Sequence, residues 1–196
     1  MVVIMEDKKE PLENPKNENY YDDDIDWFEL GCKMDPTFEK SYCYPDEISL
    51  RDVEIINSLC LFENEPHQIV DKGRIESALG NQFQPYPRRE LAYASVYKSL
   101  VINHGFMNGN KRTAVIVLYL ASKMTGNELN ISDKDLAALT YRIASEGGSK
   151  ISVEDIADKV FKCYATVGDI NVIQDVAFVA KEFIESHEWL MKELGK

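Results

Sequence analysis

The sequence predicts an all-α fold, and three observations carry that prediction. Helix-start signals of the form Ser-x-x-Asp stand at Ser49–Asp52, Ser132–Asp135 and Ser152–Asp155. Such a pattern predicts a capping box, in which the serine hydroxyl accepts from a first-turn N–H and the acid three residues on returns the bond, with Asp in place of the usual Glu. Apolar residues beyond these starts recur at helical spacing. Strand-like alternation never rises above noise, and the chain holds no internal repeat.

The first predicted helix opens at Ser49 and carries Leu50, Val53, Ile56 and Leu59 on one stripe. Pro66, Gly73, Gly80, Pro85 and Pro87 punctuate residues 66–88, leaving only a short helical turn across Arg74–Leu79. Tyr93, Val96, Tyr97, Leu100 and Val101 predict a helix over 88–103. Residues 110–125 are apolar on nearly every side from Ala114 to Ala121, the pattern of a helix buried among others, and Gly126 is a natural stop. Ser132 and Ser152 should each open a helix of about a dozen residues. A last helix, from about residue 170 to 193, carries Val172, Ile173, Val176, Val179, Phe183 and Leu190. It is expected to pack on the core as segment 166–196.

At 196 residues the chain can bury one core, with little left for a second domain. Charge is uneven: residues 1–48 hold 14 acids against 5 bases in a chain of net charge −12. The first twenty residues of this acidic extension read as disordered. Trp27, Phe28, Leu30, Phe38, Tyr42 and Tyr44 make residues 25–48 too aromatic for a free tail, and irregular packing on the core is expected there. The acidity disfavours nucleic acid as main partner, since basic residues cluster only in short pairs such as Arg88-Arg89 and Lys111-Arg112. No apolar stretch approaches the ~20 residues of a membrane span. The first residues turn acidic too quickly for a secretory signal, so a cytoplasmic location is expected. Cys32, Cys43, Cys60 and Cys163 form no C-x-x-C pair and read as free thiols. His67, His104 and His187 lie too far apart to suggest a His-rich zinc site.

Chemistry concentrates in one run, His104-Gly105-Phe106-Met107-Asn108-Gly109-Asn110-Lys111-Arg112-Thr113-Ala114. Cations in the first turn of a helix oppose its dipole by about 0.3–1 kcal/mol each, so Lys111 and Arg112 call for an anion at that place. Helix-start N–H groups bind phosphate, Gly109 lets backbone approach closely, Arg112 can grip oxygens as a fork, and Lys111 acts as a point charge. His104, across the turn, is placed to take a proton from a hydroxyl. Phe106 reads as an inward plug. The spacing is not that of a P-loop.

The run closely resembles the Fic/Doc (Fido) signature, His-x-Phe-x-(acid)-(Gly/Ala)-Asn-x-Arg. It is similar in particular to the Doc branch, the death-on-curing toxins, whose motif ends Asn-Lys-Arg. Asp71–Leu79 resembles the Gly-Leu-Leu-Glu-Ser-Ala-Leu element upstream of that motif, and Leu118–Leu120 through Thr125–Asn127 resembles the motif helix and its end. The resemblance spans roughly 49–163 and makes 49–165 a Fido domain. It implies a compact Fic-fold helical bundle with an irregular flap, within 66–88, that lies over the active site and aligns a target peptide by strand-like pairing.

The resemblance further implies transfer from ATP or another nucleoside triphosphate to a Ser or Thr hydroxyl of a protein. His104 would be general base, Phe106 a core anchor, and Gly109, Asn110, Lys111 and Arg112 the phosphate cradle. The family position for a Mg²⁺-binding acid is Asn108, a weaker ligand. The second Arg of AMP-transferring members is replaced by Val115, and Lys111 stands where that branch has Gly. Both favour Doc-type phosphate transfer over AMP transfer. A self-inhibitory Ser/Thr-x-x-x-Glu-Gly/Asn motif is missing: Glu146-Gly147 has Arg142 at the required position, and Glu63-Asn64 has Leu59. Inhibition would then come from an antitoxin partner, or from the acidic segment 1–48 in cis. The rival expectation is a Fic-fold module that binds nucleotide or peptide without catalysis.

Overall fold

Each predicted serine cap closes a helix. In the computed structural model, Ser49 begins α1 (Leu50–Cys60) with both bonds of its capping box formed, through the Asp52 N–H and carboxylate. Ser132 caps α5 (Asp133–Ser145) and Ser152 caps α6 (Val153–Val160). Between them lie α2 (Lys72–Leu79, capped by Asp71), a short 3-10 turn Gly80–Phe83, α3 (Arg89–Asn103) and α4 (Asn110–Met124). The C-terminal part holds α7 (Val176–Ser186) and α8 (Glu188–Leu194). The structure describes residues 47–146, 150–162 and 175–196, all within the unit Tyr44–Lys196. The expectations for residues 1–46 and for 170–174 of the last helix lie outside the described residues, as does the 163–165 end of the expected domain.

Three elements differ from the sequence reading. The helix opened by Asp71 begins at Lys72, earlier than the turn expected from Arg74, because the Asp71 carboxylate caps the Arg74 N–H. The helix opened by Ser152 has 8 residues, not a dozen. Its chain straightens at Phe161 and pairs as β2 (Phe161–Lys162) with β1 (Glu128–Leu129), antiparallel, Leu129 opposite Phe161. Two residues per strand are too few to leave a periodic signature. Last, the C-terminal helix breaks at His187 (φ −124°, ψ 36°), whose Nδ1 lies 2.7 Å from the Asp133 carboxylate and whose ring stacks on Phe183.

The core forms around α3 and α4, which pack on each other. α4 buries Ala114 to Leu118 without interruption, and α3 buries Leu91 to Tyr97. This continuous burial explains the all-round apolar reading of α4. α1 and α7 cover one side of α4, while α2, α5 and α6 cover α3. Gly126, at φ +66°, ends the α4 segment in the left-handed conformation that glycine adopts without strain. Among the described residues no helix is long and apolar enough to cross a membrane.

Candidate functional site

The run His104–Ala114 forms the connection between the two central helices. His104 caps α3 in the left-handed region (φ 48°, ψ 56°), the only described residue besides glycines at positive φ. A histidine held there costs about 1 kcal/mol of backbone strain, and a left-handed residue is a common way for a helix to end. Its side chain is exposed and makes no hydrogen bond among the described residues.

Gly105 follows where no other residue fits, since a Cβ would stand 2.3 Å from Ile75 Cγ1. From here the chain runs antiparallel to the segment before α2. The Val70 and Asp71 N–H groups donate to the Gly105 carbonyl, and the Met107 N–H donates to the Gln68 carbonyl at 2.9 Å. Ile69 thereby faces Phe106 in a single bridge. Phe106 points into the core as anchor, 4 % exposed, with the ring of His67 tilted against it. The other edge of Phe106 is taken by the Asn110 amide, whose Oδ1 accepts from the Phe106 N–H at 2.9 Å. Its Nδ2 donates back to the Phe106 carbonyl at 2.7 Å. One side chain thus stands in for a third strand. The opposite edge is open: the N–H and C=O of Ile69 turn away from the bridge and meet no partner among the described residues.

α4 then starts without a side-chain cap. Gly109 occupies the N-cap at φ +76°, where a Cβ would come within 3.0 Å of Asn57 Nδ2 and Leu61 Cδ2. The first N–H to bond is that of Thr113, to the Gly109 carbonyl at 2.8 Å. The N–H groups of Gly109, Asn110, Lys111 and Arg112 have no acceptor among the described residues. They form a row of donors at the positive end of a fifteen-residue helix.

The two cations of that first turn diverge. Lys111 lays its ammonium over the Tyr141 ring of α5, 4.4 Å from the centroid, and half-burial followed by the Arg112 charge lowers its pKa. Arg112 turns inward and is 2 % exposed. Its Nη1 donates to the Cys60 carbonyl at 2.7 Å, its Nη2 to both Glu65 carboxylate oxygens at 2.6 Å, and its plane lies over Phe62 at 4.2 Å. Burial works to raise the Glu65 carboxyl. The Arg112 hydrogen bonds, the Phe62 N–H and the Arg112 charge outweigh it and hold the carboxyl below its ordinary range. The fork that the sequence assigns to an anion is therefore closed on Glu65.

Asn108 is half-exposed, and its amide makes only a long 3.4 Å bond to the Pro66 carbonyl. Among the described residues no group of three or more His, Cys, Asp or Glu stands together as a metal cage. As a neutral, single oxygen donor Asn108 does not fit a protein-held Mg²⁺. The structure thus gathers His104, Phe106, Asn108, Gly109 and Asn110 into one loop, with Lys111 and Arg112 departing from its base in two directions. Sequence reasoning missed Glu65, Phe62 and Asn57. The one available signal was that a buried arginine requires an acid, but nothing in the spacing selects Glu65. Comparisons with protein-family models, with curated proteins and with solved structures each find no match.

Proposed function

We propose that the protein is a Doc-like transferase that moves the γ-phosphate of a nucleoside triphosphate onto a Ser or Thr hydroxyl of a target protein. The observation that carries this reading is an exposed His104 in the same loop as an open row of N–H donors at the start of α4. In the proposed step the His104 imidazole takes the hydroxyl proton and the hydroxyl oxygen bonds to the γ-phosphorus. The bond to the β-bridging oxygen breaks, and nucleoside diphosphate leaves. The N–H row and Lys111 hold the phosphate oxygens. A cation–π contact of about 0.5–1 kcal/mol is weak enough for phosphate to draw Lys111 from Tyr141. Arg112, tied to Glu65 and Cys60, braces the base of the row. No step is routed through Mg²⁺, for which this donor set is unsuited. The open Ile69 edge supports the segment before α2 as the flap that pairs with a target strand. An antitoxin protein would be the natural inhibitor, and the cytoplasm the place of action.

Incubation with ATP labelled at the γ- or the α-phosphate, with host lysate, tests this. Protein label from the γ position only, lost in His104→Ala, is the expected result; α-label would mean AMP transfer. The hold of Glu65 on Arg112 and the neutral Asn108 favour a second reading, a binding module without turnover. That reading predicts that ATP raises the melting temperature while no protein is labelled, and that Asn108→Asp does not restore labelling.

A further inference from the structure

Asn57 lies in α1, far along the chain from the loop it touches. It is fully buried. Its Nδ2 donates to the Asn108 carbonyl at 2.9 Å and to Thr113 Oγ1 at 3.0 Å, whereas its Oδ1 is buried without a partner. A stranded buried acceptor is unfavourable beside an apolar side chain of similar size, so stability alone does not account for an asparagine here. The bond to Asn108 supplies a different account. In a trans peptide the C=O and the following N–H point in opposite directions. Drawing the Asn108 carbonyl toward α1 therefore turns the Gly109 N–H away from it, unpaired, next to the unpaired donors of Asn110, Lys111 and Arg112. A peptide plane before a glycine is easily rotated, because glycine tolerates both signs of φ. Without a restraint the Asn108–Gly109 plane could reverse and put a carbonyl where the donor stands.

We propose that Asn57 is a positioning residue that locks this peptide plane and so completes the donor row. The consequence for phosphate rests on the function proposed above; the locking itself does not. The same residue touches Gly109 closely enough that a Cβ there would meet its Nδ2 at 3.0 Å, which makes helix α1 the template against which the turn is set.

The test compares Asn57→Leu with Thr113→Val. Leucine keeps the approximate volume and removes both the donor and the stranded acceptor, while Thr113→Val keeps the bond to the Asn108 carbonyl and removes the second one, together with the Thr113 contact to Cys60 Sγ. The ¹H–¹⁵N chemical shifts of the Gly109 and Asn110 amides and thermal melting are followed on ¹⁵N-labelled full-length protein. Asn57→Leu is expected to melt within a few degrees of the parent while both amide peaks shift by more than a linewidth, because the peptide plane that sets their surroundings is released. Thr113→Val should leave both amide peaks at the parent positions. Labelled-ATP transfer by Asn57→Leu should fall about tenfold, the factor one such bond represents. Should Asn57→Leu not fold, Asn57→Ser, which is too short to span to the Asn108 carbonyl, carries the same readout. Unchanged amides in either Asn57 variant, or an equal change in Thr113→Val, would overturn the proposal. A parent that transfers no label would remove the phosphate reading alone, leaving the amides to decide the role of Asn57.

Discussion

The helix starts of this molecule span two extremes, with α3 and α8 between them: neither has a side-chain cap, but each carries an acid in its first turn, Glu90 and Glu188. Those of α1, α2, α5, α6 and α7 are each closed by a serine or aspartate that accepts from the N–H three residues on. α1, α5 and α6 also place acids in the first turn, where the dipole favours them. The start of α4 does the reverse: Gly109 offers no cap and the first turn brings Lys111 and Arg112. Closed starts serve stability. The open one gives up a cap and the favourable charge, and leaves its first N–H groups without an acceptor among the described residues. Position within the fold agrees, since α4 is the central helix and its start is reached through the loop that exposes His104.

Arg112 departs furthest from this division: it belongs to the open start yet is neutralised like a core residue. Arg112→Met leaves the Glu65 carboxylate partly buried and unpaired, and should lower stability by about 3 kcal/mol in urea denaturation. A near-neutral result would show that the pair is dispensable and that Arg112 is available to a ligand. Because the Glu65 pKa is lowered from its ordinary 4.5 on folding, its contribution is complete above that value and is lost as pH falls through the depressed folded value. The urea midpoint of the parent should therefore fall more steeply below pH 4.5 than that of Glu65→Gln.

Gly109 holds the open start from the backbone side. Gly109→Ala forces a Cβ into the left-handed region and to 3.0 Å from Asn57 and Leu61, so a loss of about 1–2 kcal/mol is expected. Gly126→Ala is the control: its φ is +66° but a Cβ would meet nothing within 4 Å, so it reports the backbone cost alone. The difference between the two melting temperatures measures how tightly α1 grips the turn. Equal losses would mean that the turn is held by its own conformation only.

What was legible in the sequence divides along the same line. Closed starts can be read from four adjacent residues, which is why Ser49, Ser132 and Ser152 located their helices. Their ends could not be read so well: α6 stops early because Phe161 pairs with Leu129, and that partner lies in another part of the chain. In the loop, residue types showed that an anion could be held, but not which side chains face outward. Asn110 reads as a phosphate ligand, yet its amide is occupied by Phe106 backbone. Arg112 reads as a surface fork, yet its acid stands 47 residues earlier. The Arg112 pairing arises from the packing of α1 and the segment after it against α4, which no local pattern records, whereas Asn110 turns back on a residue only four positions earlier, a choice its residue type leaves open.

A closed start should respond simply. Ser152→Ala removes the hydroxyl that accepts from the Asp155 N–H and should cost about 1 kcal/mol, read as a lower melting temperature with no effect on any ATP response. A larger loss would mean that α6 depends on its cap for more than its first turn.

The smallest stability effect, and the most discriminating one, is expected at the open start. Lys111→Glu places an acid where the α4 dipole favours it, a gain of about 0.3–1 kcal/mol. It also removes the contact over Tyr141, a loss of about 0.5–1 kcal/mol. These nearly cancel, so the melting temperature should scarcely move. If the open start exists to hold phosphate, the same change sets a carboxylate among the donors and should abolish the melting shift produced by ATP. An unchanged ATP response would show that phosphate does not meet this turn. A clear rise in stability together with loss of the ATP response would make the strongest case that α4 was left uncapped for a ligand, because the chain then carries a cation where an acid folds better.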